Sequence, residues 1–163
     1  MTDVVVRVGL ISDTHGLFRP GLPALFAGVA FIVHAGDVGH PMILARLGDI
    51  APVEAVFGNV DDVHDPQLAA QRTIPVGGLT LHVSHGHELG SPTPARLVER
   101  YAADVIVFGH THRPLVATLP HGGRSTLVVN PGAAGPRRFD LRPSVAILTV
   151  RNGQVDAQLL DLE

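Results

Sequence analysis

Histidine and aspartate side chains recur in pairs with one residue between them, a spacing that can bind a cation. Asp13 and His15 form one pair, and His110 and His112 form another. In an extended segment, residues i and i+2 point the same way, so each pair can aim two ligands at one spot. Carboxylate and imidazole groups together favour a transition-metal ion. Taken alone, each pair is equally compatible with a turn whose histidines are solvated and whose aspartate caps a helix.

Both pairs follow short apolar runs of β-favouring residues. Val105–Phe108 leads through Gly109 to the histidine pair, and Val4–Ile11 leads to Asp13. Short apolar runs of this kind predict strands that are buried on both faces of a sheet. Open α/β sheets place their sites beyond the carboxyl ends of such strands. The two pairs therefore lie where a functional site is expected.

Three further β-type runs also end at polar residues, which are Asp37 after Gly36, Asn59 after Gly58, and His85. His34 precedes its strand end and is expected to pack in the core. Between the runs, proline-led segments predict helices, which indicates a βαβ-type arrangement. These predicted helices span Pro20–Ala27, Pro41–Leu47 and Pro94–Ala103.

The last third of the chain predicts antiparallel strands that form a meander, interrupted by a small-residue loop at Asn130–Ala134. Glycine-containing turns such as Gly77-Gly78 and Asn152-Gly153 suit tight hairpins. No repeat, linker or low-complexity tract divides the sequence, so residues 1–163 are expected to form a single domain. The predicted strands of this part are Leu115–Leu119, Ser125–Asn130, Ser144–Val150 and Gln154–Leu160.

The composition excludes several classes of function. The chain has no cysteine, which rules out disulfides and thiolate chemistry and suits a reducing cytoplasm, the expected location. All 12 basic side chains other than histidine are arginine, so a Schiff-base lysine and a P-loop lysine are absent. The net charge is −3 with scattered arginines, so there is no nucleic-acid-binding footprint. No apolar run approaches the ~20 residues of a membrane helix.

The ordered polar residues D-x-H, G-D, G-N, H and G-H-x-H, taken over essentially the whole chain, resemble the calcineurin-like metallophosphoesterases. The chain looks most similar to the small single-domain phosphodiesterases of bacteria and archaea. This resemblance implies an α/β fold, a four-layer αββα sandwich of two mixed β-sheets flanked by helices. It also implies a metal pair at the strand ends and no cap domain.

The resemblance assigns seven metal ligands. The first metal would be bound by Asp13, His15 and His112. The second metal would be bound by Asn59, His85 and His110. Asp37 would bridge both ions, since a carboxylate has two oxygens. Mixed nitrogen and oxygen ligands without sulfur favour two divalent transition-metal ions, Mn first with Fe, Zn, Ni or Co as alternatives, over Ca or Mg.

The implied function is hydrolysis of a small-molecule phosphodiester by attack of a metal-bridging hydroxide. Many family members carry a histidine after the Gly-Asn pair, where this chain has Val60. That departure weakens the resemblance to protein phosphatases and dinucleoside-polyphosphate hydrolases. His87 is a candidate general acid or substrate contact, with a solvated loop histidine as the equal alternative. Asp61 is expected to order the Asn59 loop.

Other functions stay open on the same residues. Purple acid phosphatases need a tyrosine ligand, and the only tyrosine, Tyr101, is expected in mid-helix away from any motif. The retromer scaffold subunit resembles the same minimal fold, so a non-catalytic protein-interaction scaffold is one alternative. A phosphomonoesterase is another. The natural substrate, and a homo-oligomer built through an exposed apolar face, are left open.

Overall fold

A computed structural model describes residues 4–163 of the chain. It contains ten strands, three short helices and a 3-10 turn at His87–Leu89. In order, the strands and helices are β1 (Val5–Ile11), α1 (Leu22–Leu25), β2 (Phe31–His34), α2 (Pro41–Gly48), β3 (Val53–Ala55), β4 (Gln71–Val76), β5 (Leu79–Ser84), α3 (Pro94–Arg100), β6 (Val105–Val107), β7 (Leu115–His121), β8 (Arg124–Asn130), β9 (Ser144–Arg151) and β10 (Gln154–Asp161).

The strands form two five-stranded sheets. The first has the order β10-β9-β1-β2-β3 and the second has the order β4-β5-β6-β8-β7. Both sheets are mixed. In the first sheet β1-β2 and β2-β3 are parallel, whereas β10-β9 and β9-β1 are antiparallel. In the second sheet the two central pairs are parallel and the two outer pairs are antiparallel. Apolar layers cover both faces of the parallel strands β1, β2 and β6.

Three apolar layers hold the sheets and helices together. The core between the two sheets combines residues such as Val8 and Leu10 from the first sheet with Val83 and Val107 from the second. A second layer packs α1 and α2 onto the outer face of the first sheet. A third layer packs α3 onto the outer face of the second sheet, through Leu97 among others. The predicted αββα sandwich is confirmed.

The predicted meander in the last third is wrong. The hairpin of β7 and β8 belongs to the second sheet, whereas the hairpin of β9 and β10 belongs to the first. β8 runs parallel to β6, and β9 runs antiparallel to β1. Turn residues fix the pairing inside a hairpin but not the sheet that it joins. β1 is paired with β2 on one side only, and β6 with β5 on one side only, until a hairpin strand is added. Each therefore takes one hairpin on its other side, which divides the two hairpins between the sheets.

Capping residues explain where two helices begin. α2 starts at Pro41, and the His40 ring accepts a hydrogen bond from the Met42 N–H at 3.0 Å. α3 starts at Pro94, and the Thr93 hydroxyl caps it by accepting from the Arg96 N–H at 3.2 Å. Proline suits the first turn because its missing N–H would have had no helical partner. The observed helices are shorter than predicted at both α1 and α3.

None of the helices in residues 4–163 is long and apolar enough to cross a membrane.

Candidate metal centre

The carboxyl ends of β1 and β2 in the first sheet meet those of β5 and β6 in the second. Backbone hydrogen bonds continue past the strand ends and tie the loops together. The Asp13 N–H donates to the Gly36 carbonyl at 2.9 Å, and the Gly109 N–H donates to the His85 carbonyl at 3.0 Å. The Gly135 N–H donates to the Asp13 carbonyl at 3.1 Å, which adds a loop from the last third. All the strand-end loops that the sequence singled out therefore lie together.

Five of the seven predicted ligands have a left-handed backbone, a conformation that costs an ordinary L-residue roughly 1–3 kcal/mol. The prediction of two extended i, i+2 pairs is therefore wrong in its geometry. The His110 ring lies 5.2 Å from the His85 ring, whereas the His112 ring lies 5.3 Å from the His15 ring. The two histidines thus diverge to opposite sides of the cluster. The φ values are Asp13 54°, His15 45°, Asp37 56°, His110 70° and His112 63°.

Two glycines leave room for the carboxylates. A Cβ atom at Gly109 would overlap the Ser12 hydroxyl and the Asp13 carboxylate. A Cβ atom at Gly58 would overlap the Asp37 carboxylate and its backbone nitrogen. The glycines that end these strands therefore serve close approach of the loops to the carboxylates.

One group of close ligand atoms comprises Asp13, His15 and His112. The Asp13 Oδ2 atom is anchored, because it accepts from the Ser12 hydroxyl at 2.6 Å and from the His110 N–H at 3.2 Å. The Asp13 Oδ1 atom lies 3.2 Å from the His112 Nε2 atom and 3.8 Å from the His15 Nε2 atom. Despite these approaches, Asp13 Oδ1 is buried without a hydrogen-bond partner, as is His15 Nε2.

A second group comprises Asp13, Asp37 and His85. The His85 Nδ1 atom lies 2.8 Å from the Ala35 carbonyl, which can only accept, so Nδ1 carries the proton. In the neutral ring, the Nε2 atom is then an acceptor, yet it faces Asn59 Oδ1 at 3.1 Å and Asp37 Oδ2 at 3.3 Å. Acceptors that face one another need a proton or a cation between them.

Asp37 reaches both groups. Its Oδ2 atom lies 3.6 Å from the His15 Nε2 atom as well as close to His85. Its Oδ1 atom is anchored by the Val60 N–H at 3.1 Å. The structure thus brings the predicted bridging carboxylate between the two groups, although Asp13 also touches both.

His110 and His87 lie at the edge of the cluster. His110 is half-buried and its ring is not within either group of close ligand atoms. The His87 ring lies 6.3 Å from the His110 ring and 5.3 Å from the His85 ring. The His87 Nδ1 atom is buried and has no hydrogen-bond partner. His87 is therefore close enough to the cluster to face a substrate.

The expectation that Tyr101 lies in mid-helix away from any motif is wrong. Tyr101 follows the last residue of α3, and its hydroxyl donates to Glu88 Oε2 at 2.7 Å. The other Glu88 oxygen accepts from the Gly86 N–H at 2.9 Å. Tyr101 and Glu88 therefore hold the turn that carries His87, but Tyr101 does not face the cluster of carboxylates.

The two buried carboxylates are charged. Burial would raise the pKa of Asp13, but His112, His85 and the Ser12 hydroxyl more than offset it and hold that pKa below its usual value. Burial would also raise the pKa of Asp37, but His85 and the Val60 N–H outweigh it and lower that pKa to about 2. Burial would lower the pKa of His85, but the carboxylates of Asp37 and Asp13 outweigh it and raise that pKa above its usual value.

The residues present fit divalent cations. Within residues 4–163, the ion pairs of Asp13 and Asp37 are with histidines alone, so no arginine neutralises these carboxylates. Buried carboxylates without a cationic partner are costly. The unpartnered oxygen of Asp13, together with the mixed imidazole, carboxylate and amide donors, matches a transition-metal site without sulfur.

One supporting residue escaped the sequence analysis. Asn130, at the end of β8, donates through Nδ2 to the Gly109 carbonyl at 3.1 Å and to the Thr111 hydroxyl at 3.0 Å. It therefore anchors the loop that carries His110 and His112. A strand that ends in asparagine before Pro-Gly was the available signal. Asp61 does order its loop, because its carboxylate accepts from the Val38, Gly39 and Gly58 N–H groups.

His34 is buried in the core, as predicted. The Gly36 N–H donates to its Nδ1 atom at 3.1 Å, and its Nε2 atom lies 3.0 Å from the Thr14 hydroxyl. Both ring nitrogens are therefore used in structural bonds. Burial lowers the pKa of His34 to about 4, so the ring is neutral at pH 7.

The sequence is similar to known phosphoesterases. The sequence profile of the calcineurin-like phosphoesterase superfamily domain matches residues 6–153. A probable metallophosphoesterase of Methanothermobacter thermautotrophicus is 33% identical, and the match covers 94% of this chain and 91% of that protein. Phosphodiesterase YfcE of Escherichia coli strain K12 is 30% identical, and the match covers 68% of this chain and 72% of that protein.

The fold is similar to solved structures of two kinds of protein. Vacuolar protein sorting 29 of Cryptosporidium parvum superposes with a TM-score of 0.76 at 22% identity, over 96% of this chain and 97% of that chain. An archaeal phosphodiesterase superposes with a TM-score of 0.71 at 20% identity, over 95% of this chain and all of that one. At this identity the structural likeness bears on the fold alone.

Proposed function

The chain belongs to the calcineurin-like phosphoesterase superfamily. We propose that it is a phosphodiesterase that depends on two divalent metal ions and that Mn²⁺ is the preferred ion. One observation carries the proposal. Asp13 Oδ1 is buried without a hydrogen-bond partner, although three histidine nitrogens lie within 3.8 Å of it. A hydrolase of this superfamily is also what the names of its relatives describe.

The proposed ligands divide into the two groups already described. Asp13, His15 and His112 would hold one ion. The other would be held by His85, Asn59 and His110, of which His110 lies with its ring 5.2 Å from that of His85. Asp37 would serve both ions, since one of its oxygens faces His15 and His85. When bound, the cations would stabilise charge at phosphorus and activate water.

The chain's own residues define what reaches the centre. The Ser12 hydroxyl anchors one oxygen of Asp13, and the Val60 N–H anchors one oxygen of Asp37. In each aspartate the other oxygen is left free for a cation. The Val60 side chain is exposed and cannot transfer a proton. We propose that residues 1–163 act as a single domain without a cap, so that no cap encloses the ester arms of a diester.

His87 is proposed as a substrate contact. Its ring lies beside His85 and His110, and its buried Nδ1 atom faces Glu88 Oε1 at 3.9 Å, so we assign the substrate contact to Nε2. The Tyr101–Glu88 hydrogen bond fixes the turn from which His87 projects. A positioned donor at the rim of the centre could bind a non-bridging phosphate oxygen or protonate the leaving alcohol.

The test is hydrolysis by metal-stripped protein with Mn²⁺ added back. Bis-p-nitrophenyl phosphate would be compared with p-nitrophenyl phosphate in the wild type and in Asp37→Asn. The exposed Asp156 on β10 provides the control Asp156→Asn. We expect diester turnover that requires metal, disappears in Asp37→Asn and persists in Asp156→Asn. Faster turnover of the monoester would instead assign a phosphomonoesterase.

A second candidate function is a protein-interaction scaffold. It is favoured by the structural likeness to a vacuolar protein sorting protein. Catalysis is favoured over this alternative because all seven expected ligands are present in the sequence and five of them lie in the two groups of close ligand atoms. Metal binding without turnover of either substrate would support the scaffold and contradict the phosphodiesterase.

A further inference from the structure

A cavity of about 490 Å³ lies beside the loop that carries His110 and His112. Its size is within the ~300–1,000 Å³ typical of small-molecule sites. Its lining is mostly apolar, and polar groups are few. The walls include Pro92, Pro114, Phe108 and Leu141, and the polar groups include Thr111 and Arg113.

The cavity adjoins both histidine-bearing loops of the candidate metal centre. Thr111, which lines it, is the residue between His110 and His112. Pro92, on the opposite wall, packs so closely against Gly86 that an added Cβ there would lie 2.9 Å from its ring. Gly86 is itself the residue between His85 and His87. A group bound to the metals therefore has a neighbouring cavity for an attached arm.

The polar groups of the cavity have unused donors. The Thr111 hydroxyl oxygen accepts from the Asn130 side chain at 3.0 Å and from the Arg113 N–H at 3.2 Å, so its own O–H remains to donate. The Arg113 side chain is exposed and has no ion-pair or hydrogen-bond partner among the residues that the structure describes. The cavity thus offers donors to a ligand that is flat, apolar on its faces and rich in acceptors.

We propose that this cavity binds the nucleoside arm of a nucleotide phosphodiester while the phosphate lies at the metal centre. A nucleobase has two apolar faces for the accessible side chains of Pro114 and Leu141 and carbonyl acceptors for Thr111. Arg113 contacts the base edge or the ribose oxygens. An alkyl chain has no acceptors and would leave both donors unused. This assignment names the substrate class and rests on the proposed phosphodiesterase function.

The test measures binding of thymidine 5′-monophosphate and methyl phosphate to Mn²⁺-loaded protein by calorimetry. Leu141→Trp fills the cavity from a half-buried turn position, and Arg113→Gln removes its charge. Leu159→Trp, at an exposed position on β10, is the matched control. We expect the wild type and Leu159→Trp to bind the nucleotide about tenfold more tightly than methyl phosphate. Leu141→Trp should lose most of that preference and Arg113→Gln part of it.

The binding ratio separates this inference from the proposed function. No nucleoside preference in the wild type, or a preference that Leu141→Trp retains, would overturn the inference. Tighter binding of octyl phosphate than of the nucleotide, abolished by Leu141→Trp, would overturn it in favour of an alkyl arm. Turnover of the p-nitrophenyl ester of thymidine 5′-monophosphate is measured separately. Its absence, with the binding preference intact, would contradict only the phosphodiesterase.

Discussion

The candidate metal centre and the hairpin turns both use left-handed backbone, but on different residue types. At the Gly77-Gly78, Gly122-Gly123 and Asn152-Gly153 turns, positive φ falls on glycine or asparagine. At the metal centre it falls on aspartates and histidines, with Asp13 and Asp37 buried. An added Cβ would meet no atom within 4 Å at Gly78, whereas at Gly109 it would overlap a carboxylate.

This difference separates a turn from a binding site. Glycine adopts left-handed backbone without a Cβ clash, so the hairpin turns carry little strain. Each aspartate or histidine in that conformation costs roughly 1–3 kcal/mol and persists only where the surrounding structure fixes it. The centre therefore retains strained residues whose side chains converge on the unpartnered Asp13 oxygen. The strain at these residues is explained by the need to bring ligand side chains together. A hairpin turn only reverses the chain and does not require such strain.

The largest difference between the two regions is expected from matched glycine substitutions. Gly109→Ala should displace Ser12 and Asp13 and so abolish binding at the Asp13 group. Because a misplacement of ~1 Å can cost ~100-fold in rate, we expect a loss of about that size in kcat/KM. Gly78→Ala should cost about 1 kcal/mol of stability and leave metal binding unchanged. Metal content, turnover and unfolding of both variants measure this, and normal metal content in Gly109→Ala would refute the close-approach argument.

A buried and an exposed histidine should respond differently to acid. The pKa of His34 is about 4 in the folded protein against 6.5 when unfolded, so between these values the unfolded chain binds the extra proton. Stability is therefore lost as the pH falls from 6.5 to 4, by on the order of 3 kcal/mol for His34. His82, whose pKa is also lowered to about 4 by burial, contributes in the same window.

Urea unfolding of metal-stripped protein at several pH values between 7 and 4 measures this loss. His34→Asn should show a shallower dependence of unfolding free energy on pH than the wild type. His121→Asn, at an exposed position beside the Gly122-Gly123 turn, should keep the wild-type slope. Equal slopes in all three proteins would mean that His34 is not held neutral by burial.

A smaller effect is expected from the carboxylate that orders the Asn59 loop. Asp61 accepts three backbone N–H groups, whereas its neighbour Asp62 accepts one, from His64. Hydrogen bonds to charged groups contribute about 1.5–3 kcal/mol, so Asp61→Ala should cost about 2 kcal/mol or more. Asp62→Ala should cost less than about 1 kcal/mol. Denaturant titration compares them, and equal losses would show that the three bonds do not order the loop.

The sequence predicted those features that depend on local pattern. Apolar runs that lead to a polar residue, through glycine in β2 and β6, located β1, β2 and β6 and placed Asp13, Asp37 and His110 beyond their ends. The αββα layers followed from the family resemblance and are confirmed. The roles assigned to the individual ligands remain predictions, because proximity alone does not establish which ion each residue binds.

Features that depend on contacts distant in sequence were not predicted. Nothing near Tyr101 in the chain indicated its hydrogen bond to Glu88, since helix and turn meet only in the folded protein. The division of the last two hairpins between the sheets likewise depends on which central strand lacks a partner. Left-handed backbone at His110 and His112 is disfavoured by their residue type, so a reading based on residue preference assigned extended geometry instead.

The most direct test of the account is the number of Mn²⁺ ions that the metal-stripped protein binds. Equilibrium dialysis would compare the wild type with His112→Ala and with His121→Ala, whose histidine lies in the exposed hairpin. We predict two ions per chain in the wild type and in His121→Ala, and one in His112→Ala. A wild type that binds no ion, or a stoichiometry unchanged by His112→Ala, would contradict a metal centre built from these strand ends.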